Sequence, residues 1–325
     1  MVSWTEKHRP TRLGDVRGNA EVVTALQSYK TMEDLPNMIL HGPPGSGKTS
    51  CILAMAKSFF EGSNISTMAM ELNAGDARGM DTMRDQIHYF TKCSSVTERS
   101  NGGVKLIILD EADGLTCCAQ RALRYLIETS SGRARFCLCC NYISKLSTGL
   151  RSRCTSFCFS GVGKVQLVRT LQTVAHKEGL EISKAGLNAV IDVSSGDARQ
   201  AINILQALCL GDTVKSTTTH NHDQAVYKSC GLPSPSEIST IFDGLLDQSF
   251  SVGYQTLRSF VSQKQLSVVQ IIPPLVERII SCDRRMAACR VGGILSNLAE
   301  VERCLSEGGS EAIAIGATVG AFHTT

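Results

Sequence analysis

The sequence predicts an α/β fold, a parallel sheet with helices on both faces, followed by two helical regions. Three observations predict it. The short apolar stretch at 37–41 runs straight into Gly42-Pro43-Pro44-Gly45-Ser46-Gly47-Lys48-Thr49, an ungapped match to the phosphate-loop pattern G-x-x-x-x-G-K-[ST], and residues 50–57 have a helical composition. The run at 104–109 is almost unbroken apolar, as a parallel strand covered on both faces must be, and it ends in Asp110-Glu111-Ala112-Asp113. From 165 onward, apolar residues recur at helical spacing.

Each element in turn has a chemical reading. In the strand–loop–helix unit, glycines free backbone N–H groups to wrap phosphate oxygens, Lys48 reaches the terminal phosphates, and the Thr49 hydroxyl sits on a magnesium ion. The helix N-terminus aims at the same phosphates. The expected nucleotide contacts are therefore Gly42, Pro43, Pro44, Gly45, Ser46, Gly47, Lys48, Thr49 and Ser50. A helix over 76–90 places Met80, Met83, Ile87 and Phe90 on one face and leaves Arg84 at the side. Ligands of open α/β sheets bind beyond the carboxyl ends of the strands. That rule puts Asp110 opposite the loop as a magnesium ligand, and Glu111 beside the water that attacks the terminal phosphate. A helix over 116–129 buries Ala122, Leu123, Leu126 and Ile127, with Arg121 and Arg124 on successive turns. A third strand, 135–140, ends in Asn141, whose amide can bond both the attacking water and a phosphate oxygen. Acids and amide together point to nucleotide hydrolysis rather than binding alone.

Helical patterns follow at 165–177 and 184–193, then a helix that opens at Gly196-Asp197. A polar stretch over 211–223, whose His220-Asn221-His222-Asp223 cluster reads as a loop and not a metal site, leads through Gly231-Leu232-Pro233-Ser234-Pro235 into a final helical region. There the patterns cover 237–246, 253–261 and 268–280, the last broken by Pro273-Pro274, and a Gly- and Ala-rich tail from Gly308 is expected to be loosely ordered. The division expected is 1–160 for the α/β domain, 161–224 for a helical lid and 225–325 for a helical bundle.

Composition sets outer bounds. With 33 Lys and Arg against 30 Asp and Glu, the net charge of +3 does not by itself predict nucleic-acid binding. The apolar runs are strand-length, far short of about eighteen residues for a membrane span, so no membrane partner is expected. Residues 1–10 are charged and lack the apolar core of a secretory signal. The 14 cysteines are read as free thiols of a reducing compartment.

These motifs, in this order, resemble the AAA+ ATPases of the clamp-loader group, and specifically the replication factor C small subunits. Trp4-Thr5-Glu6-Lys7-His8-Arg9-Pro10 with Leu13-Gly14-Asp15-Val16 is similar to the family's N-terminal E-K-Y-R-P box. Glu71-Leu72-Asn73-Ala74-Gly75-Asp76-Ala77-Arg78-Gly79 resembles its L-N-A-S-D-E-R-G segment. Asp110 to Asp113 matches its D-E-A-D box, Asn141 its sensor-1 position, Ser152-Arg153-Cys154 its S-R-C triplet, and Gly196-Asp197-Ala198-Arg199 its sensor-2 helix.

The resemblance implies an AAA+ domain, a small lid and a C-terminal collar that joins a hetero-pentamer. It implies ATP and Mg2+ as cofactors, other replication factor C subunits, a sliding clamp and primed DNA as partners, and the nucleus as location. By resemblance, Arg9, Pro10 and Val16 line the base pocket, Arg199 comes down on the γ-phosphate, and Arg153 acts on a neighbouring subunit's ATP. Arg84 and Arg121, with Arg124 and Arg78 behind them, would track the DNA backbone. His8, Gly75, Ala77 and Tyr125 depart from the family pattern; His8 keeps a flat ring but loses the phenol of the usual Tyr. The alternatives are another AAA+ DNA-associated ATPase, such as a branch-migration helicase or a bacterial-type clamp-loader subunit, and a non-catalytic ATP-binding scaffold.

Overall fold

The structure is a computed structural model that describes residues 2–60, 65–74, 80–92, 103–130, 132–210, 222–281 and 287–323. Two units, Met1–Gly211 and Asp212–Thr325, each hold their own core.

The first unit opens with a short helix α1 (Trp4–Lys7) and α2 (Ala20–Ser28). Strand β1 (Met38–His41), helices α3 (Lys48–Phe59) and α4 (Ile65–Met68), strand β2 (Ala69–Asn73) and helix α5 (Met80–Lys92) come next. Then follow β3 (Lys105–Asp110), α6 (Cys117–Thr129), β4 (Ala134–Cys140), α7 (Thr148–Arg151) and β5 (Thr155–Cys158). The sheet order is β2-β3-β4-β1-β5 with every pairing parallel, which sets Ile39 between Leu138 and Ser156.

Three strands match the apolar runs, because they are covered on both faces. Leu40, Leu106, Ile108, Cys137 and Cys139 point to the side of α3, and Ile39, Ile107, Leu109, Phe136 and Leu138 to the side of α6. The period of two assigns each residue its face. Cys137 and Cys140 stand three apart, a spacing that suits a chelating pair, yet they fall in the clusters on opposite faces of the sheet. Strands β2 and β5 have no such run to betray them. They are the edges, half-exposed, and Thr155 and Ser156 are open to solvent. Helix α6 begins where Thr116 accepts a hydrogen bond from the Ala119 N–H at 3.3 Å, an N-cap that leaves Arg121 and Arg124 on the outer face.

Helices α8 (Lys164–Lys177), α9 (Lys184–Ser194) and α10 (Ala198–Leu210) complete this unit, the first two within a residue of their expected ends. Ser183 caps α9 through the Gly186 N–H at 3.1 Å, and Leu167, Leu171, Val190, Ala201 and Leu205 form the buried seam.

The second unit contains α11 (His222–Cys230), α12 (Pro235–Asp247), α13 (Phe250–Lys264), α14 (Val268–Ser281), α15 (Ala288–Ser306) and α16 (Glu311–His323). A reciprocal capping box starts α12: Glu237 N–H donates to Ser234 Oγ, and Ser234 N–H to Glu237 Oε2 at 3.0 Å.

Three expectations are corrected here. The proline pair does not break α14, which runs through Pro273 and Pro274. Two ladder bonds are lost there, but Ile271, Ile272, Leu275 and Ile279 are all at most 1% exposed, and burial of that stripe outweighs the local cost. The tail is not loose. Within its small residues, Ile315, Val319 and Phe322 are spaced to share one helix face, and they enter the core, with Phe322 edge-on to Phe242 at 6.2 Å. His222 is not loop but the first residue of α11, and it is buried; His220 and Asn221 lie outside the described residues. We expect Phe322→Ala to lower the stability of this unit by about 3–5 kcal/mol, read as a lower urea midpoint. A midpoint matching the parent would contradict the placement of α16.

Candidate active site

The phosphate loop leaves β1 at His41 and enters α3 at Lys48, with two glycines held where no side chain fits. At Gly42 (φ +146°) a Cβ would stand 2.0 Å from the Phe159 carbonyl oxygen. At Gly45 (φ +65°) it would stand 1.8 Å from an Asp197 carboxylate oxygen. Asp197 also accepts from the Arg199 N–H at 2.8 Å, so the residue that caps α10 rests against the phosphate loop.

Lys48 is the centre of the site. Only 8% exposed, its ammonium donates to Gly42 O at 2.8 Å, Pro43 O at 2.9 Å and Asn141 Oδ1 at 3.0 Å. Burial holds it below the usual lysine range, against the pull of the Asp110 carboxylate. Beside it, Thr49 Oγ1 donates to Asp110 Oδ2 at 2.9 Å, and the Glu111 N–H donates to Asp110 Oδ1 at 3.0 Å. Glu111 itself sits in left-handed backbone (φ +54°) with its side chain exposed. Lys48, Thr49, Asp110, Glu111 and Asn141, drawn from three strand ends, are thus brought together.

They open on a cavity of about 720 Å³. Residues 44–50 of the loop line it, with Asp110, Glu111 and Asn141 from the sheet, Arg9, Pro10 and Val16 from the N-terminal segment, and Arg199 from α10. Gly42 and Pro43 do not reach the cavity; their carbonyls are engaged by Lys48. The N-terminal segment is tied to the lid helices. Trp4 N–H donates to Gln206 Oε1 at 3.0 Å, and Glu178 meets His8 Nε2 at 2.5 Å and Lys7 Nζ at 2.7 Å. Hydrogen bonds from Lys7 and His8 hold the Glu178 carboxyl below the ordinary carboxylate range. Thr170, Thr173 and Lys177 of α8 also line the cavity, and sequence reasoning missed them. The signal was present: polar residues spaced three and four apart share a helix face.

Arg153 lies elsewhere. It is exposed, it is not among the residues that line its own chain's cavity, and it pairs with Glu128 near the end of α6. Arg121 and Arg124 are exposed on α6. Arg84 belongs to α5, but its side chain lies outside the described residues, as does all of Arg78. Buried beneath the loop are Cys51, Cys137 and Cys139, and on the other face Cys140; burial pushes the Cys51 and Cys140 thiols up to about 12, so they stay protonated at neutral pH.

The family model described as "ATPase family associated with various cellular activities (AAA)" matches residues 38–162, and "Replication factor C C-terminal domain" matches 233–321. The chain is 36% identical over 324 residues to replication factor C subunit 3 of Saccharomyces cerevisiae, covering 100% of this chain and 94% of that protein. It is 36% identical over 326 residues to replication factor C subunit 5 of Homo sapiens, covering 100% and 92%. Among solved structures, the Thermotoga maritima RuvB Holliday junction branch migration motor superposes with a TM-score of 0.56 at 16% identity, over 83% of this chain and 91% of that one. That likeness shows the fold alone. A full-length match of this strength, with the two matched domains in order, means that the chain belongs to the replication factor C family of clamp-loader ATPases.

Proposed function

We propose that this chain is an ATP-hydrolysing subunit of a nuclear, hetero-pentameric clamp loader that opens a sliding clamp and sets it on primed DNA. The observation that carries this reading is the separation of Arg153 from its own cavity. The cavity gathers Lys48, Thr49, Asp110, Glu111 and Asn141 but not Arg153, whose exposed guanidinium is available to a neighbour's triphosphate.

The residues divide the work as follows. Backbone N–H groups of the loop and Lys48 hold the triphosphate, while Arg9, Pro10 and Val16 close over the base. Glu111 takes a proton from the attacking water, and Asn141 orients that water against the terminal phosphate. Lys48 donates to Asn141 Oδ1 at 3.0 Å, a contact that places the amide beside the terminal phosphate for this task. Magnesium fits the site, because the Thr49 hydroxyl and Asp110 carboxylate are adjacent hard oxygen donors that would hold it. When bound, it neutralises phosphate charge. Arg199 reaches the γ-phosphate from the lid, so occupancy is coupled to lid angle. The working division is 1–160, 161–224 and 225–325, the last serving as collar.

Arg121 and Arg84, with Arg124 and Arg78, follow the DNA backbone without reading bases, so binding is sequence-tolerant and weakens with salt. The test is ATP turnover of the assembled complex with clamp, with and without primed DNA. Primed DNA should stimulate turnover severalfold, and Arg121→Ala should lower that stimulation most at moderate salt. No response to primed DNA or clamp would overturn the loader reading and favour a branch-migration or scaffold role.

A further inference from the structure

We infer that Glu128 is the positioning residue for Arg153, holding its guanidinium in the orientation in which it meets a neighbouring subunit's triphosphate; this rests on the trans reading of Arg153 above. Glu128 lies in the last turn of α6, and its Oε1 is 2.5 Å from Arg153 Nε. The same guanidinium donates through Nη1 to the Gly149 carbonyl at 2.8 Å, with Ser152 Oγ 3.4 Å away. Two of the three nitrogens are thereby anchored on their own chain, and Nη2 has no hydrogen-bond partner among the described residues. A long side chain on the surface otherwise loses rotamer freedom when it engages a phosphate, and anchoring removes part of that cost in advance.

The carboxylate is shared. Arg124, one turn earlier on α6, brings its Nε to 4.0 Å from the same Oε1. Its Cδ lies against Gly149, where an added Cβ would be only 3.3 Å away, and Gly149 is the residue whose carbonyl holds Arg153. One face of α6 therefore carries Arg121, Arg124 and Glu128 at successive turns, so the outward arginines and the anchor of Arg153 move with one helix. A polyanion drawn to Arg124 leaves Glu128 wholly to Arg153. Glu128 thus links occupancy of the α6 face to readiness of the trans arginine.

The test is steady-state ATP turnover of the assembled complex carrying the parent chain, Glu128→Gln, Arg153→Ala or both, at low and moderate salt. Glu128→Gln keeps the side chain's size and one acceptor but removes its charge. It should lower kcat about threefold to fivefold and leave KM for ATP unchanged. The difference should fade as salt rises, because both partners are exposed and salt screens the pair. On the Arg153→Ala background it should cost nothing further. If Arg153→Ala lowers kcat while Glu128→Gln matches the parent, or if Glu128→Gln costs as much with Arg153 absent, the inference about Glu128 fails and the trans arginine stands. If Arg153→Ala turns over ATP at the parental rate, the trans reading itself fails.

Discussion

Lys48→Ala should abolish ATP turnover at this chain's site, with a loss of at least about 10²–10³-fold, or roughly 3–4 kcal/mol of transition-state stabilisation. The reason is geometric as well as electrostatic. Lys48 is buried, and its ammonium already satisfies Gly42 O, Pro43 O and Asn141 Oδ1. Alanine removes the charge from the terminal phosphates and leaves Asn141 without the partner that positions it. Lys48→Arg should fare little better, because a planar guanidinium does not fit where a point charge is 8% exposed among backbone carbonyls. The measurement is turnover of the assembly containing the variant, with its thermal midpoint compared to show that the fold survives. Turnover within twofold of the parent would remove Lys48 from the mechanism.

Arg153→Ala should have an effect of similar size, but in another place. Arginines supplied in trans contribute on the order of 10³–10⁵ in rate in related phosphoryl-transfer systems. Because Arg153 does not line its own cavity, ATP affinity of the isolated variant should equal the parent's, while hydrolysis at the adjoining subunit falls. In a complex with several active sites the total drops only by the share of the site served. The clean measurement therefore uses partners whose other phosphate loops are disabled. Arg153→Lys should not rescue, since an ammonium cannot keep the Glu128 and Gly149 contacts and reach outward together. Loss of ATP binding by the isolated variant would show instead that Arg153 acts on its own site.

Legibility from the residues depended on how local each feature is. The central strands could be read because both their faces are buried, whereas β2 and β5, lying at the edges, carry the same polar residues as loops. The prolines of α14 and the small residues of α16 mislead for one reason: local propensity costs a few kcal/mol, and burial of stripes such as Ile271, Ile272 and Leu275 or Ile315, Val319 and Phe322 exceeds it. His8 could be seen to depart from a family pattern, but not that it would bond a glutamate 170 residues away.

The chain of amino acids by itself determined the phosphate loop, the acids that follow β3 and the order of the domains, since each is a short segment whose chemistry needs particular residues in a row. Tertiary structure alone decided that Lys48 meets Asn141, that Asp197 rests on Gly45 and that Glu128 holds Arg153. Those pairs are set by the order of strands and the packing of helices, and energies of that kind come from burial across the whole fold, not from any neighbouring residues.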